Sequence, residues 1–332
     1  MMTMKTVVLP LVVIGLSSSL VNARPLAQEP GWDVTLGLNV GVVQSSSQFS
    51  TDDDNATISD LEQDPKSSSS AIVYPLGRIS YTFESMQDQL FFGNSAENVG
   101  RGQFQYELGY TRKLGENSRV TAALFPSLPF ANETWQDPYL TNSARSKTEE
   151  NYLGGRVAWD FIAESPVSLK YAYAKRDIEQ ERSGAGLSSA QQSSLNRNAD
   201  IHRFAASVFV PLSKQWFVEP RLSYTQTKAD GTAMSSDDWE LSANAVYRHQ
   251  AHIVSANLGY GQRKYDGSNP VFDGRTQEDK HWNLFAIYAY KEPFSWKDVS
   301  FNALAGYTNN DANISFYDSK ALVASLGLSY TF

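Results

Sequence analysis

The last eleven residues of the chain alternate between apolar side chains and small or polar ones. One face carries Leu322, Ala324, Leu326, Leu328, Tyr330 and Phe332, and the other carries Val323, Ser325, Gly327, Ser329 and Thr331. A repeat of two predicts a β-strand, because successive side chains of a strand point to opposite sides. An apolar face suits lipid and a polar face suits water, so this run is typical of the closing strand of a membrane-spanning β-barrel.

Similar alternation predicts fourteen strands along the chain. They cover residues 32–43, 71–83, 88–94, 101–112, 119–130, 150–162, 167–178, 200–212, 216–228, 238–249, 252–263, 280–291, 298–308 and 320–332. The run 88–94 is the shortest of them. If it and its neighbour are not part of the wall, twelve strands remain.

The connections between these runs are of two kinds, which alternate strictly. The short ones lie near 84–87, 113–118, 163–166, 213–215, 250–251 and 292–297. The long polar ones lie near 44–70, 95–100, 131–149, 179–199, 229–237, 264–279 and 309–319. Short periplasmic turns opposite long outer loops are expected for an outer-membrane barrel. The predicted fold is therefore all-β, a transmembrane antiparallel up-and-down barrel.

Aromatic residues fall at two levels of this predicted wall. The loop end carries Tyr173, Tyr224, Trp239, Tyr260, Trp282 and Tyr307. The turn end carries Tyr81, Phe83, Tyr110, Trp159, Phe161, Trp216, Tyr247, Tyr290, Tyr330 and Phe332. Two aromatic girdles around an apolar band are typical of a barrel in a bilayer. A soluble propeller would need four short strands in each repeat, whereas each repeat here holds two longer ones.

The N-terminus predicts export. Residues 1–23 combine a basic start, an apolar stretch from Val7 to Leu16 and small or apolar residues before a cleavage point after Ala23. We therefore expect a signal peptide at 1–23, a barrel at 24–332 and a location in the outer membrane of a Gram-negative cell. No later apolar run approaches the roughly 18 to 20 residues of a transmembrane helix. The formal net charge of −8 argues against a nucleic-acid partner.

The inward face of the predicted wall carries charged residues. The basic ones are Arg78, Arg119, Arg156, Lys170, Arg203, Arg221, Arg248, Arg263 and Lys291, and the acidic ones are Glu107, Asp160, Glu219 and Glu240. An excess of basic side chains would favour anionic solutes along the path through the barrel. The alternative is that the basic residues pair with acids and stiffen the wall, or bind lipopolysaccharide near the rim.

Two features bear on whether the lumen is open. Residues 24–31, before the first predicted strand, are too few for a plug domain, and many inward positions are small, which favours a pore. The loop 131–149, with Trp135 and Tyr139, is the best candidate for a segment that folds inward and narrows the opening.

Catalytic and metal sites find little support in the sequence. His252 and Ser255 are three residues apart and therefore on opposite faces of a strand, which a Ser/His hydrolase does not allow. His281 would favour an enzyme only if it lay beside an inward Ser or Asp. The acidic stretch 53–64 has Ile58 where a calcium loop requires glycine. We expect no enzyme activity, no catalytic residues, no metal site and no cofactor; looser binding of divalent ions at the lipopolysaccharide surface stays open.

Several segments resemble a family of gammaproteobacterial outer-membrane proteins, common in vibrios and their relatives, whose function is unknown. They are YTFES at 81–85, QLFFG at 89–93, WQDPYL at 135–140, ERSG at 181–184, LNRNAD at 195–200, ADG at 229–231 and ISFYDS at 314–319. The resemblance covers the mature chain and implies a porin-like barrel, but it transfers no substrate and no catalytic residue. Much of it lies in loops, which the resemblance implies shape the mouth or a constriction.

The sequence as a whole predicts a passive diffusion channel for small hydrophilic, anionic solutes. The alternative is a surface receptor, adhesion or structural barrel whose loops bind a ligand, a host surface or a phage. Expected partners are outer-membrane lipid, lipopolysaccharide, small solutes and the outer-membrane assembly machinery, which would recognise Tyr330 and Phe332.

Overall fold

In the computed structural model, fourteen antiparallel strands form one closed wall. The structure describes residues 26–27, 29–94, 105–126 and 133–332. The wall strands are β1 (Gly31–Ser47), β2 (Ser67–Thr82), β3 (Asp88–Gly93), β4 (Glu107–Lys113), β5 (Arg119–Pro126), β6 (Lys147–Asp160), β7 (Val167–Ile178), β8 (Ala199–Val208, continued by Val210–Pro211), β9 (Trp216–Ala229), β10 (Ser236–His249), β11 (His252–Asn269), β12 (Arg275–Lys291), β13 (Val299–Ala312) and β14 (Ser319–Thr331).

The ring closes between the first and last strands. Thr35 of β1 lies opposite Thr331 of β14, and the pairing continues without a register shift to Ser47 and Ser319. Every other wall strand pairs with its neighbours in the chain. The predicted fold class and the strand number of fourteen are therefore confirmed.

Strand ends differ from the prediction mainly on the loop side. β11 extends to Asn269 and β12 begins at Arg275, whereas the sequence predicts ends at 263 and 280. These extensions are polar on both faces, so hydrophobic alternation does not reveal them although backbone pairing continues. Within the described residues, β4 begins at Glu107 and β5 reaches Pro126, whereas the sequence predicts 101 and 130. Residues 101–104 and 127–130 of the predicted strands lie outside the described residues, as does the predicted signal peptide.

The outer surface of the wall is apolar. Leu222 and Leu241 lie opposite each other on β9 and β10, and their exposed fractions are 49% and 64%. Leu258 and Leu284 form a similar exposed pair on β11 and β12. The residues between them, such as Ser223 and Ser242, are buried on the inner face. A continuous apolar surface of this extent calls for an apolar surrounding, because soluble proteins rarely expose one.

Aromatic contacts mark both edges of the apolar band. At the loop end, the ring centroids of Tyr224 and Trp239 are 4.7 Å apart, and those of Trp282 and Tyr307 are 5.0 Å apart. At the turn end, Trp216 and Tyr247 are separated by 4.8 Å. Among the described residues, no helix has the length and apolarity that a membrane span requires.

Most of the remaining regular structure in the described residues lies in the loops at one end of the barrel. A short strand, Glu133–Trp135, pairs with the start of β6. The helix α1 covers Ser189–Ser194. Single 3₁₀ turns cover Asp53–Asn55, Thr232–Met234, Pro270–Phe272 and Ser315–Tyr317 at the loop end, and Ile162–Glu164 and Pro293–Ser295 at the turn end.

Candidate functional site

Most of the basic side chains predicted to face the lumen form ion pairs on the inner wall. The tightest joins Arg156 on β6 to Glu107 on β4: Nε lies 2.9 Å from Oε1, and Nη2 lies 2.7 Å from Oε2. Both side chains are buried, so this two-point contact is charge-assisted and oriented. The pair fixes the relative position of two strands that are not neighbours.

Five further predicted basic residues have an acidic partner. The nitrogen-to-oxygen distances are 3.5 Å for Arg119–Asp160, 3.7 Å for Lys170–Asp160, 3.5 Å for Arg203–Glu240, 3.3 Å for Arg221–Glu219 and 2.9 Å for Arg263–Asp238. Asp160 therefore serves two cations. These contacts support the alternative in which basic residues stiffen the wall.

The other three predicted basic residues have different surroundings. The guanidinium of Arg78 lies 3.9 Å above the ring of Phe91 and donates to Gln89 over 3.4 Å. The guanidinium of Arg248 lies 5.4 Å from the centre of the Phe217 ring. Lys291 is exposed at the turn end of β12. Arg78 is thus an inner-wall cation whose described contacts include no carboxylate within salt-bridge distance.

The inner wall carries further charges that the list of predicted lumen residues does not include. Glu150, at the start of the predicted strand 150–162, is buried within β6, and Asp238 and Asp279 also face inward. Arg176 on β7 joins the basic set and donates from Nε to the carbonyl of Arg197 over 2.6 Å. Basic side chains still outnumber acidic ones on the described inner wall, but by less than the sequence suggests. Period-two parity within the predicted strands would have found Glu150, and parity carried one residue beyond the predicted strand 280–291 would have found Asp279.

His281 lies beside an inward aspartate. Its Nε2 is 2.9 Å from Oδ1 of Asp238, although β12 and β10 are separated by β11. The residue between them is Gly261, where an added Cβ would lie 2.3 Å from Cε1 of the imidazole. The missing side chain makes room for the ring to cross β11.

The condition set for an enzyme, an inward Ser or Asp beside His281, is therefore met, but an Asp–His pair alone does not make a catalytic site. A Ser–His–Asp arrangement needs a hydroxyl within reach of the second imidazole nitrogen. Among the described residues, the only hydrogen bond of the His281 ring is the one to Asp238. The pair is thus an inner-wall contact with no nucleophile assembled around it in the described part of the chain.

Six loops meet over one mouth of the barrel, and we call this layer the lid. It consists of loops 48–66, 133–146, 179–198, 230–235, 270–274 and 313–318. Its buried core is formed by Ile58, Tyr139, Leu195, Ala233, Met234, Phe272, Ile314 and Phe316. Loop 133–146 leaves the wall before β6, and loop 270–274 leaves it before β12, nearly half the ring away. Because Tyr139 and Phe272 nevertheless pack together, the lid spans the mouth.

Two buried arginines hold part of the lid together. Arg145 donates from Nη1 to the carbonyls of Gln48 and Pro138, at 2.9 and 3.1 Å, and from Nη2 to the carbonyl of Asn55. Burial lowers the pKa of Arg145 to about 10, with Asp137 opposing that shift. The side chain is still charged at neutral pH, so its hydrogen bonds to carbonyls are charge-assisted.

Arg197 connects the neighbouring loops. Its Nε donates to Glu181 over 2.7 Å, and its Nη2 donates to the carbonyl of Trp135 over 2.6 Å. Trp135 is fully buried. Arg145 and Arg197 together join three loops through hydrogen bonds to backbone carbonyls. A substitution that changes only the side chain of a residue that supplies a carbonyl does not remove that acceptor.

A pair of tyrosines joins opposite sides of the lid. The hydroxyl oxygens of Tyr139 and Tyr317 are 2.7 Å apart, and Asn269 donates from Nδ2 to the Tyr317 hydroxyl over 2.7 Å. Burial raises the pKa of Tyr139 to about 12 and that of Tyr317 well above its usual value. Both hydroxyls are therefore neutral donors at any physiological pH.

The lid was only partly foreseen from the sequence. Trp135 and Tyr139 do turn inward, as expected for a segment that folds over the opening. Leu195, Phe272 and Phe316 were missed because they lie in otherwise polar loops, where the few apolar residues follow no period of two. The signal that could have found the lid is the resemblance itself, since WQDPYL, LNRNAD and ISFYDS all contribute lid residues.

The sequence matches, over residues 31–331, the family described as "Protein of unknown function (DUF2860)". The chain belongs to this family. A comparison with curated proteins finds no match.

Several solved barrels are similar in structure. The "CymD monoaromatic hydrocarbon channel" is 10% identical, with a TM-score of 0.46 and coverage of 92% of this chain and 89% of that one. The outer membrane channel DcaP of Acinetobacter baumannii is 10% identical, with a TM-score of 0.42 and coverage of 91% and 98%. An anion-selective porin from Comamonas acidovorans is 11% identical, with a TM-score of 0.39 and coverage of 92% and 100%.

Proposed function

We propose that this protein is an outer-membrane channel through which small hydrophilic solutes diffuse down their gradients. The observation that carries the proposal is the closed fourteen-stranded wall with an apolar outer face and a charged inner face. In a closed wall of this kind, every backbone N–H and C=O group that faces lipid depth has a hydrogen-bond partner in a neighbouring strand, and the polar side chains are enclosed. Passage needs no nucleotide and no cofactor, because the gradient supplies the free energy.

The preference for anions is the finer part of the proposal. Ion pairs neutralise much of the basic charge, so the field in the lumen is weaker than the sequence count suggests. Arg78 adds a guanidinium to the inner wall near the turn end, with no carboxylate within salt-bridge distance among the described residues. We therefore expect a modest anion preference rather than strict selectivity.

A second candidate function has support from the lid. The lid covers the mouth with a folded layer, and its loop 48–66 exposes several acidic residues. A layer of this kind is also what a surface receptor or adhesion protein would present, with the barrel as its anchor. In that case, the lumen would carry no solute.

Planar bilayers separate the two candidates. The purified protein is reconstituted and the current is recorded in a potassium chloride gradient. Stepwise ion conduction, with a reversal potential displaced toward that of chloride, supports the anion-preferring channel. A bilayer that stays silent although the protein has inserted contradicts the channel and favours the surface anchor.

A further inference from the structure

We propose that one seam in the lid is the gate of this barrel. The proposal rests on the channel function above and concerns how the same path is closed. The seam runs between the rings of Phe49 and Tyr139 on one side and those of Phe272, Phe316 and Tyr317 on the other. These rings are the contacts that have to part for solute to enter from the loop end.

The first side of the seam, the fixed side, consists of loops joined through their backbones. Asn142 donates its N–H to the carbonyl of Ile58 over 2.8 Å, and Arg182 donates to that of Gln136 over 2.9 Å. Gly231 continues the series by donating to the carbonyl of Asn196 over 3.0 Å. Arg145 and Arg197 reinforce the same loops from within. The fixed side is therefore a single cross-linked unit.

The second side, the hinged side, consists of the short loops 270–274 and 313–318. Their backbone hydrogen bonds stay on this side: Asn313 donates to the carbonyl of Glu278 on β12 over 2.9 Å, and Gly274 donates to that of Asn269 over 3.0 Å. Within the described residues, no backbone-to-backbone hydrogen bond joins this side to the fixed side. β11 itself stays attached to the fixed side, because Asp266 donates its N–H to the carbonyl of Ser235 over 3.0 Å. The loops 270–274 and 313–318 can therefore separate from the fixed side only above the ends of their strands.

Side chains alone close the seam in the described part of the lid. The ring centroids are 5.4 Å apart for Tyr139–Phe316, 6.0 Å for Tyr139–Phe272 and 5.8 Å for Phe49–Phe316. Across it, the Tyr139 hydroxyl hydrogen-bonds to that of Tyr317 and also interacts with the amide of Asn269. Aromatic packing with so few side-chain hydrogen bonds is weak compared with the carbonyl network of the fixed side. The seam is therefore where the lid separates first.

The test uses the natural absence of cysteine from the chain. Ser236 lies at the loop end of β10, on the inner wall and buried below the lid. Ser236→Cys is labelled on intact cells with a maleimide whose polyethylene glycol tail is too large for general porins. Labelling rates are compared among three proteins that all carry Ser236→Cys: one with an intact lid, one that also carries Tyr139→Ala/Phe316→Ala, and one that also carries Phe294→Ala. The last is the matched control, because it removes an exposed ring at the turn end.

We expect the double substitution to raise the labelling rate of Cys at 236 and the open fraction in bilayers at least severalfold, with Phe294→Ala unchanged. Equal labelling and equal conductance in all three proteins overturn the gate. Faster labelling with silent bilayers in every protein supports the seam but contradicts the channel. The two failures are therefore distinguishable.

A locking experiment covers the case in which the double substitution fails to fold. Phe49→Cys/Tyr317→Cys places thiols on both sides of the seam, whose rings lie 5.9 Å apart in the parent. A short, cleavable bifunctional thiol reagent should lower the conductance of this protein, and cleavage should restore it. If mass spectrometry shows that the cross-link has formed, but neither cross-linking nor its cleavage changes the conductance, the proposal is overturned.

Discussion

Individual residues on the inner wall act mainly by leaving or filling space beside charges. Gly261 leaves room for the His281 ring to reach Asp238 across an intervening strand. Arg156 fills the space beside Glu107 and satisfies both carboxylate oxygens. These roles depend on residues two strands away. Period-two patterning can place a glycine or an arginine on the inner face, but it does not show which residue lies two strands away, so it could not predict either role.

Gly261→Ala should displace His281 and destabilise the barrel by about 1–3 kcal/mol, since its new methyl group overlaps the imidazole and the backbone limits relaxation. Urea unfolding in detergent micelles measures the change. Gly186→Ala is the control, because nothing lies within 4 Å of an added Cβ there. Equal midpoints for the two variants would show that the ring does not depend on this space.

Arg156→Gln should cost about 3–5 kcal/mol, because it leaves the fully buried carboxylate of Glu107 without its cationic partner. Arg78→Gln removes the same charge from a guanidinium that feels the charge of Glu107 but forms no direct ion pair among the described residues, so it should reduce anion preference and cost less. Unfolding midpoints and reversal potentials of both variants check this contrast. A larger loss of stability in Arg78→Gln would contradict the assignment of the ion pairs.

At the scale of elements, hydrophobic alternation predicted the wall and missed the layer above it. β7 spans the predicted residues 167–178, since its apolar and inward positions alternate throughout. β11 and β12 run beyond the predicted ends because alternation stops at the edge of the apolar band while hydrogen bonding continues. The lid arises from contacts between distant loops, such as Tyr139 with Tyr317, which leave no periodic signal.

The turns at the other end are joined by Glu164. Its carboxylate accepts hydrogen bonds from the backbone N–H groups of Asn117 and Ser118, at 3.0 and 3.3 Å. Partial desolvation raises the pKa of Glu164, but these hydrogen bonds outweigh it and lower the pKa below its usual value of 4.5. A carboxyl whose folded pKa is depressed stabilises the fold above its unfolded pKa, and the contribution is lost as pH falls through the folded pKa.

Glu164→Gln should therefore reduce stability at neutral pH and flatten its decline below pH 4.5. Unfolding midpoints between pH 7 and pH 3 measure the effect. Glu116→Gln changes an exposed carboxylate in the same region and serves as the control. If the unfolding midpoints of both variants fall with decreasing pH as steeply as those of the parent, Glu164 does not join the turns in solution.

At the scale of the whole molecule, the two faces of one wall require different surroundings. The outer face needs lipid because its leucines are exposed, and the inner face needs water or partners because its charges are enclosed. The aromatic rings at both edges of the band define where each surrounding ends. Solute passage, lid and gate all depend on this arrangement.

The most direct measurement is a cysteine scan along β9 in lipid vesicles, which the cysteine-free chain makes unambiguous. Single cysteines from 217 to 224 carry a spin label, and its collisions with oxygen and with a water-soluble nickel complex are recorded. We predict strict alternation, with oxygen contact at positions such as Leu222 and a lower ratio of oxygen to nickel contact at Ser223. A uniform profile, or a chain that stays monodisperse in buffer without detergent, would contradict the membrane-spanning barrel.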